Sequence, residues 1–295
     1  MLGISTSLWT KDKKDLLGLK GWLEELGLSA IELDFRVTAE QLEKIKPSLD
    51  SEIKVISVHN FCPVPDGVRP EKASGDLFNL ASLDWEERRL AIRYTIRTIE
   101  LAHELEAEVV VLHLGFVVLE GLKAGFYREG VLEGEKRDEF LKEREKKAPK
   151  HLDALFLALE PIAKRAEALG VVLGIENRNF PHEIPSMEEI GLVLEAFEGA
   201  PFAYWHDVGH AHVLECLGFL KQKELLERYK DHLIGIHLHD ARGLKDHLPL
   251  GKGEVDLQVL RPFLTQTQKV LEVHPPVEKE ELKEGLSYLR DTGLL

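Results

Sequence analysis

The chain has 295 residues, of which 44% are hydrophobic and 31% are charged, and its formal net charge is −14. This composition is typical of a soluble globular protein, and no apolar run reaches the roughly 18 residues that a membrane span requires. The net charge disfavours a nucleic-acid partner because phosphates would be repelled, although bound metal ions would offset it locally.

The first residues, MLGISTSLWTKDKK, lack the basic leader and the cleavage site of a signal peptide, and they predict a first strand instead. The two cysteines, Cys62 and Cys216, are far apart in the sequence and form no redox or metal-binding motif. We therefore expect free thiols in a reducing compartment, and thus a cytoplasmic protein.

Short apolar runs alternate with longer segments along the whole chain. The runs are rich in Val, Ile and Leu without strict alternation, which is typical of parallel strands covered by helices. We predict strands near residues 2–7, 29–35, 53–59, 108–114, 171–176, 202–207, 233–239 and 269–274.

The segments between the strands carry apolar residues at helical spacing. The clearest helices are predicted at residues 85–106, 152–169, 186–196 and 277–291, the third of which begins with a capping-box sequence. Residues 116–150 hold three glycines and then a dense run of charges. They predict a loop over one end of the sheet followed by a solvated helix extension, with a lid as the alternative role.

Eight strands that alternate with helical segments predict an α/β protein with a (β/α)8 TIM barrel, formed as a single domain over residues 1–295. The alternative is an open, doubly wound sheet. Such a sheet usually carries a glycine-rich phosphate loop after its first strand, and the sequence STSLWTKD at that position has none.

Seven of the strands deliver a carboxylate or a histidine at or near their C-terminal ends. In a barrel these ends meet at one mouth. Carboxylates packed together repel one another unless a cation lies among them, and mixed His/Asp/Glu sets suit transition metals better than calcium. We expect a divalent ion, zinc or manganese first, with magnesium, cobalt or iron as alternatives. The residues are Glu32, His59, His113, Glu176, Asp207, His237 with His239, and Glu272 with His274.

Some of these residues are stronger candidates than others. Glu176 lies within VVLGIEN, where packing does not explain a carboxylate. Asp207 is followed three residues later by His210 at a strand-to-helix turn, so both can face one ion. We expect His237 to be a ligand and His239 to lie lower or more peripherally.

Other polar residues have competing explanations. The segment DHLPLGKGEVD predicts a tight loop that brings His247 back over the mouth. Glu32 and Asp34 could each pair with an arginine instead of an ion. Residues expected to be surface, packing or beyond the mouth are His103, His151 and His274.

In these segments the chain resembles the xylose isomerase-like TIM-barrel superfamily, which includes sugar and sugar-phosphate isomerases and epimerases and endonuclease IV. The matching segments occur in the family's order between about residues 55 and 275. They are SVHNF, NLASLDWEERRLAI, VVVLHLG, GIENR, HDVGHAH, IHLHD, DHLPLGKGEVD and LEVHP.

The resemblance implies a shared metal site formed by Glu176, Asp207, His237 and Glu272. In the ketose 3-epimerase branch the two glutamates both hold the ion and exchange protons with the substrate. In that branch His210 and Arg242 would contact the substrate.

In the endonuclease branch, His59, His113 and Glu176 would bind a second zinc ion. There His210 and His247, with an aspartate two residues before the latter, would bind a third. This chain has Lys245 at that position and Asp246 next to the histidine, which argues against a third ion.

We therefore expect a metal-dependent isomerase or epimerase of a small sugar, sugar phosphate or polyol, with Glu176 and Glu272 moving protons through a metal-stabilised enediolate. The alternatives are a zinc-dependent enzyme that cleaves DNA at abasic sites, and a barrel that binds a sugar without converting it. The sequence leaves open the substrate, its phosphorylation, the number of ions and whether the chain forms a homodimer. Specificity is expected in loop residues such as Trp9, Phe61, Arg178 and Trp205.

Overall fold

Eight parallel strands close into a barrel in the computed structural model, which describes residues 1–12, 15–49, 52–119, 134–265 and 267–295. Around the barrel the strand order is β1-β10-β7-β6-β5-β4-β3-β2. Strands β8 and β9 form a separate antiparallel hairpin. The bounds are β1 Leu2–Ser5, β2 Ala30–Leu33, β3 Lys54–His59, β4 Val109–Leu112, β5 Val172–Glu176, β6 Phe202–Asp207, β7 Leu233–Leu238, β8 Asp240–Arg242, β9 Lys245–Leu248 and β10 Gln268–Leu271.

Helices follow the strands and cover the outside of the barrel. Their apolar faces pack with the outer faces of the strands into one large buried cluster. The helices are α1 Ser7–Thr10, α2 Leu19–Leu26, α3 Ala39–Leu49, α4 Trp85–Glu104, α5 Gly134–Leu169, α6 Met187–Ala196, α7 Val208–Cys216, α8 Gln222–Tyr229 and α9 Lys279–Asp291. None of the helices among the described residues is long and apolar enough to cross a membrane.

The predicted single-domain (β/α)8 barrel is confirmed, and each of the eight predicted strands is present. The capping box at the start of α6 also forms, between Ser186 and Glu189. The predicted helix extension is present as the first part of α5. Most of the predicted loop over the mouth falls on residues 120–133, which lie outside the described residues.

The barrel interior has its own small apolar cluster, separate from the outer core. Trp205 is the largest residue of this cluster, and its indole ring lies against the backbone of Gly235 on the neighbouring strand β7. A Cβ atom at position 235 would lie 2.1 Å from the Trp205 ring. Glycine at this position is therefore what allows a buried tryptophan to fill the barrel below the polar mouth.

We predict that Gly235→Ala lowers the free energy of unfolding by about 3 kcal/mol, because overpacking forces either the indole or the strand to move. The matched control is Gly21→Ala in α2, where an added Cβ would meet no atom within 4 Å. That control should raise the free energy of unfolding by up to about 1 kcal/mol through helix propensity. Urea denaturation of both variants measures the difference, and equal stabilities would contradict this account of the barrel interior.

Candidate functional site

The C-terminal ends of the strands bring together a buried set of acidic and imidazole side chains. Glu176 and Asp207 are the last residues of β5 and β6, and His59 is the last residue of β3. His113 and Glu272 each lie one residue beyond a strand, β4 and β10 respectively. The structure thus places the predicted strand-end residues in one mouth, as the parallel topology requires.

His237 lies at the centre of this set and is fully buried. Its Nδ1 atom is 3.0 Å from Glu176 Oε1 and 3.0 Å from Glu272 Oε2, while its Nε2 atom is 3.0 Å from Glu32 Oε2. Burial lowers the pKa of His237, but Glu272, Glu32 and Glu176 outweigh burial and hold this pKa well above its usual range. Among the protein groups alone, the imidazolium is the counter-charge for these carboxylates.

Four residues of the mouth form the first candidate metal cluster. Glu176, Asp207, His237 and Glu272 each offer one ligand atom, and these atoms all lie within 4.8 Å of one another. The arrangement fits a divalent cation because Glu32 can hold the Nε2 proton of His237, which leaves Nδ1 free to act as a ligand. Glu32 is itself fixed by a hydrogen bond that Ser57 Oγ donates at 2.7 Å.

The second candidate cluster contains His59, His113 and Glu176. His59 Nδ1 donates to the Asn60 carbonyl at 2.9 Å, and His113 Nδ1 donates to Asp76 Oδ2 at 3.0 Å. In the neutral rings these bonds leave both Nε2 atoms without a proton. Both Nε2 atoms face Glu176 Oε2, that of His59 at 3.3 Å and that of His113 at 2.9 Å.

Lone pairs that converge on a carboxylate oxygen repel it unless a cation lies between them. Glu176 Oε2 is buried and makes no hydrogen bond to any of the described residues. Burial raises the pKa of the Glu176 carboxyl, but His113 and His237 outweigh burial and hold this pKa well below its usual range. The donor set therefore fits a second divalent ion as well as the first.

A third group contains Asp207, His210 and His247, and it adjoins the first cluster through Asp207. His247 comes from strand β9 of the β8–β9 hairpin, and the structure places it over the mouth. Lys245, which stands where the endonuclease branch has an aspartate ligand, is exposed. Asp246 nevertheless faces the site, with Oδ2 3.9 Å from His210 Nε2 and Oδ1 3.0 Å from His247 Nδ1.

Asp246 and His247 are adjacent in the sequence, yet both side chains lie on the same side of the hairpin. His247 has a φ of 55°, and this left-handed conformation at the end of a short hairpin lets both side chains turn to the same side. The ring of His247 is held by stacking between His239 and His274, at centroid distances of 4.2 and 3.8 Å. His274 is therefore close to the mouth, where it contacts Lys11.

His239, expected to lie lower or more peripherally than His237, lies in the interior and not at the periphery. It is fully buried, its Nδ1 accepts the backbone N–H of His247 at 2.8 Å, and its Nε2 donates to both carboxylate oxygens of Asp207 at 3.0 Å. Because Nδ1 is an acceptor and Nε2 is a donor, this histidine positions Asp207 and offers no lone pair to an ion.

Arg242, predicted as a substrate contact, is not brought into the site. Its side chain is exposed on the hairpin turn, and its guanidinium donates to the Lys252 carbonyl at 2.8 Å. The short hairpin directs residue 242 away from the mouth. Asp34 is paired with Arg36 at 2.8 Å, which was the alternative explanation for that carboxylate.

Sequence reasoning missed Asp76 and gave no role to Asn177. Asp76 accepts from His113 Nδ1 and from Arg178 Nη2, the latter at 2.6 Å. Burial raises the pKa of Asp76, but Arg178 and His113 outweigh it and hold this pKa well below its usual range. Asp76 lies in a long irregular loop without periodicity, so no pattern signalled it, whereas the GIENR segment already contains Asn177.

Asn177 connects the ends of β5 and β6. Its Oδ1 accepts the Asp207 backbone N–H at 2.8 Å, its Nδ2 donates to the Asp207 carbonyl at 2.9 Å, and its own carbonyl accepts from His210 Nδ1 at 3.0 Å. This one side chain and its backbone therefore set the position of two candidate ligands.

Solved structures of similar fold include proteins named as sugar epimerases. A D-tagatose 3-epimerase-like protein superposes with a TM-score of 0.69 at 20% identity, over 99% of this chain and 97% of that one. The IOLI protein with a bound zinc atom superposes with a TM-score of 0.65 at 16% identity, over 99% and 96%. A D-psicose 3-epimerase and an L-ribulose 3-epimerase share the fold as well. At these identities the likeness shows the fold alone.

Sequence comparisons identify a relative of this chain and the family to which it belongs. The uncharacterized protein MJ1311 of Methanocaldococcus jannaschii is 27% identical over 272 residues, which cover 82% of this chain and 81% of that protein. The model of the xylose isomerase-like TIM barrel family matches residues 21–292. The chain therefore belongs to the xylose isomerase-like TIM barrel family.

Proposed function

We propose that the chain is a metal-dependent isomerase or epimerase of a small sugar-like substrate, and that Glu176 and Glu272 move the protons. The observation that carries the proposal is the placement of these two glutamates. They come from strands β5 and β10, three positions apart around the ring, yet both face His237 Nδ1 at 3.0 Å. A substrate carbon held between them would have a carboxylate on each side.

Both glutamates begin the reaction as bases. Burial raises the pKa of Glu272, but His237 outweighs burial and holds this pKa well below its usual range, as it helps to do for Glu176. One carboxylate removes the proton beside a substrate carbonyl. Return of this proton to the neighbouring carbon gives an isomer. For an epimer, the opposite glutamate takes a proton from solvent and delivers it to the other face of the same carbon, while the first glutamate releases its proton to solvent.

The metal would contribute Lewis acidity. Glu176, Asp207, His237 and Glu272 would hold a divalent ion, and its Lewis acidity would reduce the cost of the negative charge that develops beside the carbonyl. Solved structures of the same fold are named as sugar epimerases, which supports this class of substrate. Zinc and manganese both suit the carboxylate-rich donor set.

Phosphoester hydrolysis is the second candidate function, and one observation favours it. The three clusters share ligands, because Glu176 belongs to the first and second and Asp207 belongs to the first and third. Carboxylates that bridge neighbouring ions are typical of multi-metal phosphoesterases. The acidic chain opposes a DNA substrate, so we place this candidate second.

We predict that manganese stabilises the protein and that Glu176→Gln removes most of this stabilisation, because the variant loses a charge shared by two clusters. At a concentration 100 times the Kd, bound ion should add about 2.7 kcal/mol to the free energy of unfolding. Thermal unfolding of chelator-treated protein, with and without Mn²⁺, measures the shift. The control is Glu108→Gln, which removes a carboxylate paired with Lys54 at the opposite end of the barrel. A wild-type shift in Glu176→Gln would exclude the first cluster as the ion's site.

We predict that Glu272→Gln reduces turnover by about 10²–10⁴-fold while the fold is retained, because the amide cannot accept the proton. Exchange of substrate C–H hydrogens with D₂O, followed by NMR over a panel of ketoses and inositol derivatives, detects the chemistry. The exposed Glu280 serves as a matched control through Glu280→Gln. Full exchange in Glu272→Gln would overturn the assigned role, and binding of the panel sugars without any exchange would favour a binding protein.

The two candidates differ in their behaviour toward abasic DNA. We expect the wild-type chain, loaded with zinc, to leave an abasic duplex intact because its charge of −14 repels the phosphates. Gel analysis of a labelled duplex measures cleavage. Cleavage that disappears in His59→Ala would replace the isomerase proposal with the second candidate, since His59 belongs only to the second cluster.

A further inference from the structure

A further group of side chains that could bind a metal lies outside the barrel mouth. His212 and Cys216 are one turn apart on α7, and Glu254 reaches them from the loop that follows β9. Their ligand atoms all lie within 4.8 Å of one another. His210 and His212 are two residues apart on this helix, about 200° around its axis, so the group faces away from the central site.

Two of the three distances within this group match the edges of a tetrahedral zinc site. His212 Nε2 lies 3.3 Å from Cys216 Sγ and 3.4 Å from Glu254 Oε1. Zinc bonds of about 2.3 Å to sulfur and about 2.0–2.2 Å to nitrogen and oxygen, at tetrahedral angles, place the ligand atoms about 3.3–3.6 Å apart. The three side chains would therefore need little movement to hold one ion.

The surroundings hold these ligands in place and favour a cation. Glu254 Oε1 accepts the Gly243 backbone N–H at 2.7 Å, and the helix fixes the spacing of His212 and Cys216. The three residues line a surface cleft of about 550 Å³. Further carboxylates around this cleft outnumber its two lysines, because they include Glu215, Glu224 and Asp256 besides Glu254. The open side of the cleft leaves room for a water as the fourth ligand.

We propose that His212, Cys216 and Glu254 form a zinc site that fastens the loop after β9 to α7. Binding forms Zn–N, Zn–S and Zn–O bonds, and the proton of the Cys216 thiol passes to solvent. The helix also carries His210, and the same loop donates backbone N–H groups to Asp240 at the start of the hairpin that carries His247. A bound zinc ion would thus fix the relative positions of α7 and the β8–β9 hairpin, which both carry residues of the central site.

Cobalt gives this site a signature that the central site cannot produce. A thiolate bound to Co²⁺ shows a near-ultraviolet charge-transfer absorption, and the clusters found in the mouth among the described residues contain only histidine and carboxylate ligands. We expect the band when Co²⁺ is added to chelator-treated wild-type protein. It should be lost in Cys216→Ser and retained in Cys62→Ala, which removes the other, buried cysteine. A wild-type protein without the band, or a band that survives in Cys216→Ser, overturns the proposal.

Thiol reactivity gives a second measurement that does not require cobalt. Cys62 is fully buried, so an alkylating reagent added to the folded protein reports on Cys216. We expect Zn²⁺ to slow alkylation of Cys216 at least tenfold, and His212→Ala to remove this protection. Unchanged protection in His212→Ala, or none in the wild type, counts against the site. Both measurements are independent of turnover, so they hold whether or not the proposed isomerase activity is found.

Discussion

The burial of carboxylates at the ends of the barrel strands is the constraint on which the rest of the site depends. Glu32, Glu176, Asp207 and Glu272 are each at most 4% exposed and lie around a single imidazole. Removing an ionised carboxylate from water costs several kcal/mol, and one histidine offers only one positive charge. Without added cations, these four carboxylates therefore carry more negative charge than His237 can balance. The closed barrel brings these groups together, and Trp205 below them excludes water from the interior.

The orientation of the rings depends on backbone groups as much as on side chains. Carbonyls of Asn60 and Asn177 accept from the Nδ1 atoms of His59 and His210, and the His247 N–H donates to His239. Each of these bonds selects a tautomer, and each belongs to a strand end or to the hairpin. The fold therefore determines which nitrogens can bind an ion. The fold also explains why the two histidines of IHLHD differ. Glu32 can hold the Nε2 proton of His237 and leave Nδ1 to an ion, whereas His239 donates to Asp207.

Most of the fold and the inner part of the site were predictable from the sequence, because strand runs and the residues that end them are local features. Strand position predicts that Glu176, Asp207, His237 and Glu272 lie at the mouth, whereas their selection as one metal site came from the resemblance to the family. Asp76 was not predictable, since it comes from an irregular loop and reaches His113 only through the tertiary fold. The positions of Arg242 and Asp246 depended on the geometry of a short hairpin, which directs Arg242 to solvent and Asp246 toward the site.

The sharing of Glu176 between two clusters links the number of ions to the reaction. Its Oε1 atom faces His237, and its Oε2 atom faces His59 and His113. With one ion in the first cluster, one oxygen of this glutamate remains able to accept a proton, as an isomerase requires. With a second ion beside the histidines, both oxygens would be engaged and the residue could no longer act as a base. Binding of a second ion at His59 and His113 would then favour hydrolysis over proton transfer. These two histidines, rather than the four shared ligands, are therefore the residues that separate the two candidate functions.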